Sequence, residues 1–165
     1  MTGKKIEHPL KTRYWSTVPY QLGTGTDRVA IKFSARPCTA HTEVLPEEPD
    51  NDFLRHAMQK TLSEKSACME FLVQPRTRSA MSVEDSRTEW LEEEAPFYKV
   101  ATITIPQQTF DTPEQNSFCE NLSFTPWHAL PEHRPLGSVN RLRKVIYAHI
   151  SRTRREANSV SMQEP

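Results

Sequence analysis

Tyr147 and two arginines on the same helical face are the residues whose types and spacing best suit chemistry. A helix over residues 137–155 places Arg143 one turn before Tyr147 and Arg154 two turns after it. A guanidinium held against a phenol favours the phenolate, because an opposite charge stabilises the charged form. A phenolate oxygen can ligate ferric haem iron, so the spacing indicates a candidate haem site. The same spacing also suits a tyrosine that packs its ring and leaves its hydroxyl in water.

Acidic and basic side chains are concentrated in two separate segments, although the net charge is zero. Residues 84–94 carry six acidic side chains, diluted only by Arg87. Residues 134–155 carry seven arginine and lysine side chains and no acid. This asymmetry predicts an anionic partner for the basic helix, and a helix face solvated by water is the other interpretation.

Strands and helices that could position these residues are visible in the residue patterns. Alternating and β-branched runs predict strands over Arg28–Ala35, Met69–Gln74 and Phe97–Ile105, after an extended aromatic segment over Tyr14–Tyr20. Polar caps precede two helical patterns: Asp50, Asn51 or Asp52 before Leu54, Met58 and Leu62, and Asp111 or Thr112 before residues 113–120. The basic helix has an apolar stripe of Leu142, Val145, Ile146, His149 and Ile150. Residues 76–96 and 121–136 are predicted as irregular connections.

These elements predict an α+β fold that is incomplete by itself. So few strands would leave open sheet edges and an uncovered face. We therefore expect the sheet to pair with another chain or to form part of a larger barrel. A length of 165 residues has room for one domain.

The three cysteines and the absence of a long apolar run bear on the cellular compartment. Cys38, Cys68 and Cys119 are an odd number without a C-x-x-C motif, which predicts free thiols in a reducing compartment, with Cys119 buried. No apolar run approaches the roughly 20 residues that a membrane span needs. The first residues lack the apolar segment of a secretory signal. We expect a soluble, cytoplasmic protein without a membrane partner.

Residues 12–156 resemble the C-terminal half of the catalase-like haem proteins, especially their small-subunit bacterial branch. The run Val100–Pro113 is similar to the last barrel strand of that branch and the turn after it, and Phe118–Gly137 is similar to its long wrapping segment. The ligand motif of the family is an arginine, three residues and a tyrosine, with more arginines in the next two turns. Arg143–Tyr147 matches this motif, and Arg152 and Arg154 follow it.

The resemblance implies a fold, a cofactor and roles for four residues. The fold would be part of a catalase-type antiparallel β-barrel, with a long wrapping segment and a C-terminal helix that carries the proximal tyrosine. Tyr147 would ligate the iron of haem b, and Arg143 would keep it a phenolate. Arg154 is the first candidate to bind a haem propionate and Arg152 the second. The propionates would then be the anionic partner of the basic helix. The division that follows is a polar arm over residues 1–13, a half-domain over 14–156 and a disordered tail over 157–165.

The implied function is that of a haem-dependent oxidoreductase acting on hydrogen peroxide or organic peroxides. The segment that carries the distal histidine and asparagine in this family is not recognisable here, and peroxide cleavage needs a distal base. We therefore expect the chain alone to be weak or inactive and to need a missing N-terminal half, a partner chain or a second copy. One alternative is a haem-binding or interaction remnant without catalysis. The other is a module that docks its basic helix on an acidic protein or, less favoured, on nucleic acid.

Other candidate residues give weaker signals. His128 and His133 are five residues apart without a third metal ligand at a usual spacing. His41 and His56 are predicted in a loop and on the first helix, with surface or structural roles. His149 is predicted as a core or interface histidine. The turn over Gly23–Gly25 is too short to indicate a phosphate-binding loop by itself.

Overall fold

An antiparallel sheet built around two nine-residue strands organises the fold. The computed structural model describes residues 6–39 and 48–161. Strands β3 (Val29–Pro37) and β4 (Ala67–Pro75) pair along their lengths, with Lys32 opposite Gln74. The β-branched and apolar residues that alternate along both strands fit a pleated surface with one face on each side.

Three further strands complete the described sheet. Strand β5 (Tyr98–Ile105) pairs with the free edge of β4, and β1 (Tyr14–Trp15) and β2 (Tyr20–Leu22) both pair with the other edge of β3. All these pairs are antiparallel. Seven of the eight residues of β5 are exposed, so the sheet has an open edge in the described part of the chain.

Among the described residues, three α-helices accompany the sheet, and they begin near the predicted positions. They are α1 (Phe53–Glu64), α2 (Pro113–Asn121) and α3 (Gly137–Ala157). Thr112 caps α2, because its hydroxyl accepts a hydrogen bond from the Gln115 N–H and Pro113 occupies the first turn. Short 3₁₀ helices lie at Pro9–Lys11, Gly25–Asp27 and Pro131–His133. The predicted α+β outline is confirmed, and the strand and helix bounds differ from the prediction by a few residues.

The connection over residues 76–96 has no helix or strand, as predicted, but it covers one face of the sheet. Met81, Trp90 and Ala95 are buried and form a cluster there. The Gln74 amide holds the connection to β4 by donating to the carbonyl oxygens of Trp90 at 2.8 Å and Ala95 at 2.9 Å. Because all three groups are buried, their hydrogen bonds are needed for stability.

The opposite face of the sheet is apolar and partly open. A cavity of about 460 Å³ lies over it, lined mainly by side chains of β2–β5 that include Phe33, Phe71 and Val73. The Phe33 ring packs against Tyr20 and Phe71 at centroid distances of 4.8 and 5.5 Å. This face is therefore apolar but only partly uncovered. Ile31 and Val73 on it are 6 and 8 % exposed, and Ala129 and His133 of the wrapping segment also line the cavity.

Two predictions about cysteines are wrong. Cys38 and Cys68 form a disulfide that joins the end of β3 to the start of β4, with their Cα atoms 5.7 Å apart. The pairing of β3 with β4 brings the two residues together although 30 positions separate them. Cys119 is exposed on α2 rather than buried. The cytoplasmic prediction rested in part on free thiols, and it loses that part of its support.

Both ends of the chain lie partly outside the described residues. Residues 1–5 of the predicted arm, His41 and residues 162–165 of the predicted tail belong to the parts that are not described. Within the arm, His8 is buried and its Nε2 lies 2.9 Å from the Thr61 hydroxyl of α1. No helix among residues 6–39 and 48–161 has the length and apolar character that crossing a membrane requires.

Candidate functional site

The first turn of α3 is held against two connections, the one between β1 and β2 and the one over residues 76–96. Gly137 has a φ of +84°, and a Cβ atom there would lie 2.2 Å from the Val83 carbonyl oxygen. Glycine allows both this backbone conformation and this close approach. Asn140 is fully buried, and its amide donates to the carbonyl oxygens of Pro19 and Leu136, each at 2.9 Å. The direction in which α3 leaves the sheet is therefore set by two buried contacts.

The last turns of α3 are held by the segment that follows α2. The Arg154 guanidinium donates to the Leu122 carbonyl oxygen, and the Asn158 amide donates to Asn121 Oδ1 at 3.0 Å. Ser151 and Arg155 are buried on the same part of the helix. These contacts place the middle of α3, with Tyr147, between two fixed ends.

Tyr147 and Arg154 line one cleft, together with a serine between them. The cleft has a volume of about 180 Å³ and is lined by Phe124, Tyr147, Ile150, Ser151 and Arg154. Tyr147 is 37 % exposed, so its ring is accessible from this side. The helical spacing explains the arrangement, since residues 147, 151 and 154 follow each other at four and three positions. Tyr147 and Arg154 therefore face one cleft, whereas Arg143 is not among the residues that line it.

Two buried polar atoms of the residues that line this cleft have no hydrogen-bond partner among the described residues. They are the Ser151 hydroxyl oxygen and Arg154 Nε. An unpaired buried donor costs about 1–3 kcal/mol, so such groups are satisfied in most proteins by water, an ion or a ligand. A ligand with carboxylate oxygens would satisfy both atoms, because each can donate a hydrogen bond.

Arg143 contacts a second phenol, that of Tyr20, which was not predicted as a site residue. Burial is the largest effect on Tyr20 and raises its pKa, while the charge and a side-chain hydrogen bond of Arg143 lower it. Tyr147 lies close enough that its negative charge would raise the pKa of Tyr20 further. Arg143 therefore acts on Tyr20. Its predicted effect on Tyr147 stays a prediction.

The other predicted residues lie away from this cleft. Arg152 is exposed on α3 and is not among the residues that line the cleft. It is five positions from Tyr147, which turns it to another side of the helix. His128 and His133 are exposed, and no group of three or more potential metal-ligating residues occurs among residues 6–39 and 48–161. His56 is exposed on α1 near Asp50, with Nδ1 3.6 Å from Oδ2.

The apolar stripe of α3 faces outward. Leu142, Val145, Ile146 and Ile150 are 40–69 % exposed, and His149 is exposed with them. Of the two roles predicted for His149, core or interface, the core role is wrong, because α3 is anchored through its two ends and not through this stripe. The interface role stays a prediction. One basic residue of α3 also has an anionic partner within the chain. Arg141 donates two hydrogen bonds, of 3.1 and 2.7 Å, to the Glu84 carboxylate.

Tyr20 and Ser151 were not predicted as site residues, for different reasons. Ser151 could have been found, since it follows Tyr147 by four positions and precedes Arg154 by three. Tyr20 reaches α3 only because the β1–β2 connection and the segment before α3 are joined by backbone hydrogen bonds, such as Leu136 N–H to the Pro19 carbonyl at 3.0 Å. No local pattern signals that long-range contact.

The fold with this geometry is similar to part of the fold of catalases. It superposes on a fungal catalase with a TM-score of 0.71, at 14 % identity over 90 % of this chain and 32 % of that chain. It superposes on a bacterial catalase with a TM-score of 0.66, at 13 % identity over 90 % of this chain and 31 % of that chain. The chain therefore spans about a third of the length of these catalases. At this identity the likeness shows the fold alone. A scan against protein-family models found no match, and a search of curated proteins also found none.

Proposed function

We propose that this chain forms the proximal side of a haem site in a catalase-like oxidoreductase that acts on hydrogen peroxide or organic peroxides. The observation that carries the proposal is the cleft in which Tyr147, Ser151 and Arg154 face one space. The likeness of the fold to catalases supports it independently.

The residues of the cleft fit the two chemically different parts of haem b. The Tyr147 phenol is accessible and, as a phenolate, is a suitable ligand for ferric iron. The two unpaired donors, Ser151 Oγ and Arg154 Nε, suit the carboxylate of a propionate. Phe124 and Ile150 supply apolar surface for the edge of the ring. A cleft of about 180 Å³ is smaller than the roughly 300–1,000 Å³ of an enclosed ligand site, so it would hold one edge of the group.

Each residue then has a stated part in the chemistry. Bound haem iron would supply the redox chemistry toward peroxide, which amino-acid side chains lack. Tyr147 would ligate the iron from the proximal side, and its negative charge would favour higher oxidation states. Arg143 would stabilise that charge. The second phenol, that of Tyr20, would stay protonated and neutral, because burial raises its pKa. Arg154 would orient the ring through the propionate, with Arg152 outside the cleft as a rim contact at most.

The distal side of the reaction is not assigned to any residue of this chain. Moving a proton between the two peroxide oxygens needs a base within hydrogen-bond reach. We therefore propose that catalysis needs a further segment, a partner chain or a second copy that supplies this base. Haem binding without turnover is the second candidate function, and the lack of an assigned distal base favours it for the chain alone.

An absorption titration of the purified chain with hemin tests the proposal. We expect saturation at one hemin per chain with a ferric-phenolate spectrum, and loss of that spectrum in Tyr147→Phe. Tyr98→Phe is the matched control, because Tyr98 is an exposed tyrosine on β5, far from the cleft in sequence. Equal binding to the wild type and Tyr147→Phe would contradict the proposed site.

Oxygen release from hydrogen peroxide by the hemin-loaded chain separates the two candidate functions. We expect saturable hemin binding with only slow oxygen release, because no residue of this chain is assigned as the distal base. Fast, Tyr147-dependent oxygen release would show that the chain needs no further segment and would contradict the proposed division of the site.

A further inference from the structure

A second cleft, far in sequence from the Tyr147 cleft, brings two arginines together. It lies between the β2–β3 turn and the wrapping segment and has a volume of about 280 Å³. We call it the Arg28–Arg134 cleft, and its lining residues are Gln21, Thr24, Gly25, Arg28, Pro131 and Arg134. The two arginines are more than a hundred positions apart, so the fold and not local sequence places them together.

Backbone and side-chain hydrogen bonds fix the wrapping segment on β2 at this cleft. The Gln21 N–H donates to the Arg134 carbonyl oxygen at 2.9 Å, and Tyr20 forms an isolated bridge with Pro135. Gln21 is 8 % exposed, and its side-chain amide donates to the Gly23 carbonyl oxygen at 2.9 Å. The floor of the cleft is therefore a buried, hydrogen-bonded joint.

This joint also orients the Arg134 guanidinium. Arg134 Nε donates to Gln21 Oε1 at 3.1 Å. With Nε engaged, the two terminal nitrogens of the guanidinium remain as donors in a fixed plane. An arginine that is already held in place loses less conformational entropy when a ligand binds.

Neither arginine of the cleft has an ion-pair partner among residues 6–39 and 48–161. By contrast, six other arginines in the same part of the chain make ion pairs: Arg13, Arg36, Arg55, Arg78, Arg87 and Arg141. Asp27 precedes Arg28, but its carboxylate accepts from the Thr26 hydroxyl and does not line the cleft. The cleft thus combines two cations with no lining carboxylate.

The remaining lining groups suit a tetrahedral oxyanion. The Thr24 hydroxyl does not cap the short helix that follows it, so it is free of that hydrogen bond. Gly25 has a φ of +58°, and no atom lies within 4 Å of a Cβ atom built there, so the turn leaves space for a ligand. Guanidinium groups bind phosphate through paired hydrogen bonds. The volume far exceeds the roughly 30 Å³ of one water molecule, which leaves room for a group attached to the phosphate.

We propose that the Arg28–Arg134 cleft binds a phosphate group, as inorganic phosphate or as the phosphate of a small monoester. Gly23–Gly25 alone was too short to indicate such a site, and the structure supplies the two arginines that the motif lacked. Gln21 acts as a positioning residue through Arg134. The site is independent of the proposed haem function, because it shares no lining residue with the Tyr147 cleft.

Calorimetric titration of the whole chain at low ionic strength tests this proposal, with inorganic phosphate, ribose 5-phosphate and acetate as separate probes. We expect one saturable phosphate site. Arg28→Gln and Arg134→Gln should each weaken binding about tenfold or more, the usual loss for a hydrogen bond to a charged group. Arg87→Gln is the charge-matched control, since Arg87 is 91 % exposed and pairs with Asp85 elsewhere. Tighter binding of ribose 5-phosphate than of inorganic phosphate would identify a monoester as the ligand.

A titration that does not saturate would overturn the proposal, and so would equal affinity in the wild type and both cleft variants. The same loss of affinity in Arg87→Gln would also overturn it, because it would indicate a general charge effect. Arg134→Lys keeps the charge but loses the hydrogen bond from Nε to Gln21. It should bind phosphate more weakly than the wild type and more tightly than Arg134→Gln. Circular dichroism melts of each variant report whether the fold is intact, and hemin binding by Arg28→Gln should equal that of the wild type.

Discussion

Removal of the Cys38–Cys68 disulfide should lower the free energy of unfolding. The size of the loss depends on the length of the loop that the disulfide closes. The two residues are 30 positions apart. In the chain-entropy description, a cross-link over a loop of this length stabilises the folded state by about 3.6 kcal/mol, because it restricts the unfolded chain. With a typical unfolding entropy for 165 residues, the melting temperature should fall by about 10 °C.

The assay is urea unfolding of the wild type and of the Cys38→Ser/Cys68→Ser variant, each with and without dithiothreitol. Reductant should lower the urea midpoint of the wild type to that of the double variant and leave the double variant unchanged. Cys119→Ser is the matched control and should have no effect, since Cys119 is exposed and free. A thiol assay on the denatured, unreduced wild type should find one thiol. Three thiols, or a midpoint insensitive to reductant, would refute the reasoning.

Two further predictions concern the start of α3 and the joint between α1 and α2. Gly137→Ala should lower the free energy of unfolding by about 2 kcal/mol or more, because both φ and the Val83 carbonyl oxygen exclude a Cβ atom. Gly25→Ala, where only φ is unfavourable, should cost about 1 kcal/mol; equal losses in urea melts would contradict this account. The Arg55 guanidinium, followed by the Asn116 amide, holds the pKa of Asp111 below its usual 3.8. Its stabilising contribution should be present above that pH and be lost as the pH falls through the lower folded pKa. Asp111→Asn should flatten this acid limb, and an unchanged limb in the variant would exclude Asp111 as its source.

Much of the fold could be predicted from local patterns. The β-branched run of β5 and the Thr112–Pro113 cap of α2 are determined by neighbouring residues, so their positions were predicted within a few residues. The shared face of Tyr147 and Arg154 follows from helical geometry alone.

The errors concern contacts between residues distant in sequence. The Cys38–Cys68 disulfide depends on the register of β3 and β4, which no cysteine spacing reveals. The apolar stripe of α3 predicts a buried helix face, but the stripe is exposed. The helix is anchored by Gly137 and Asn140, which the stripe does not reveal. Tyr20 approaches Arg143 only because backbone hydrogen bonds join the β1–β2 connection to the segment before α3.

The central claim is that Tyr147, and not its neighbour Tyr20, is the phenol that binds haem. Resonance Raman spectroscopy of the hemin-loaded chain tests it most directly, because iron-bound phenolate has vibrations that shift when tyrosine is isotopically labelled. We predict these bands in the wild type and in Tyr20→Phe, and their loss in Tyr147→Phe. Bands that persist in Tyr147→Phe, or that vanish in Tyr20→Phe alone, would contradict the account.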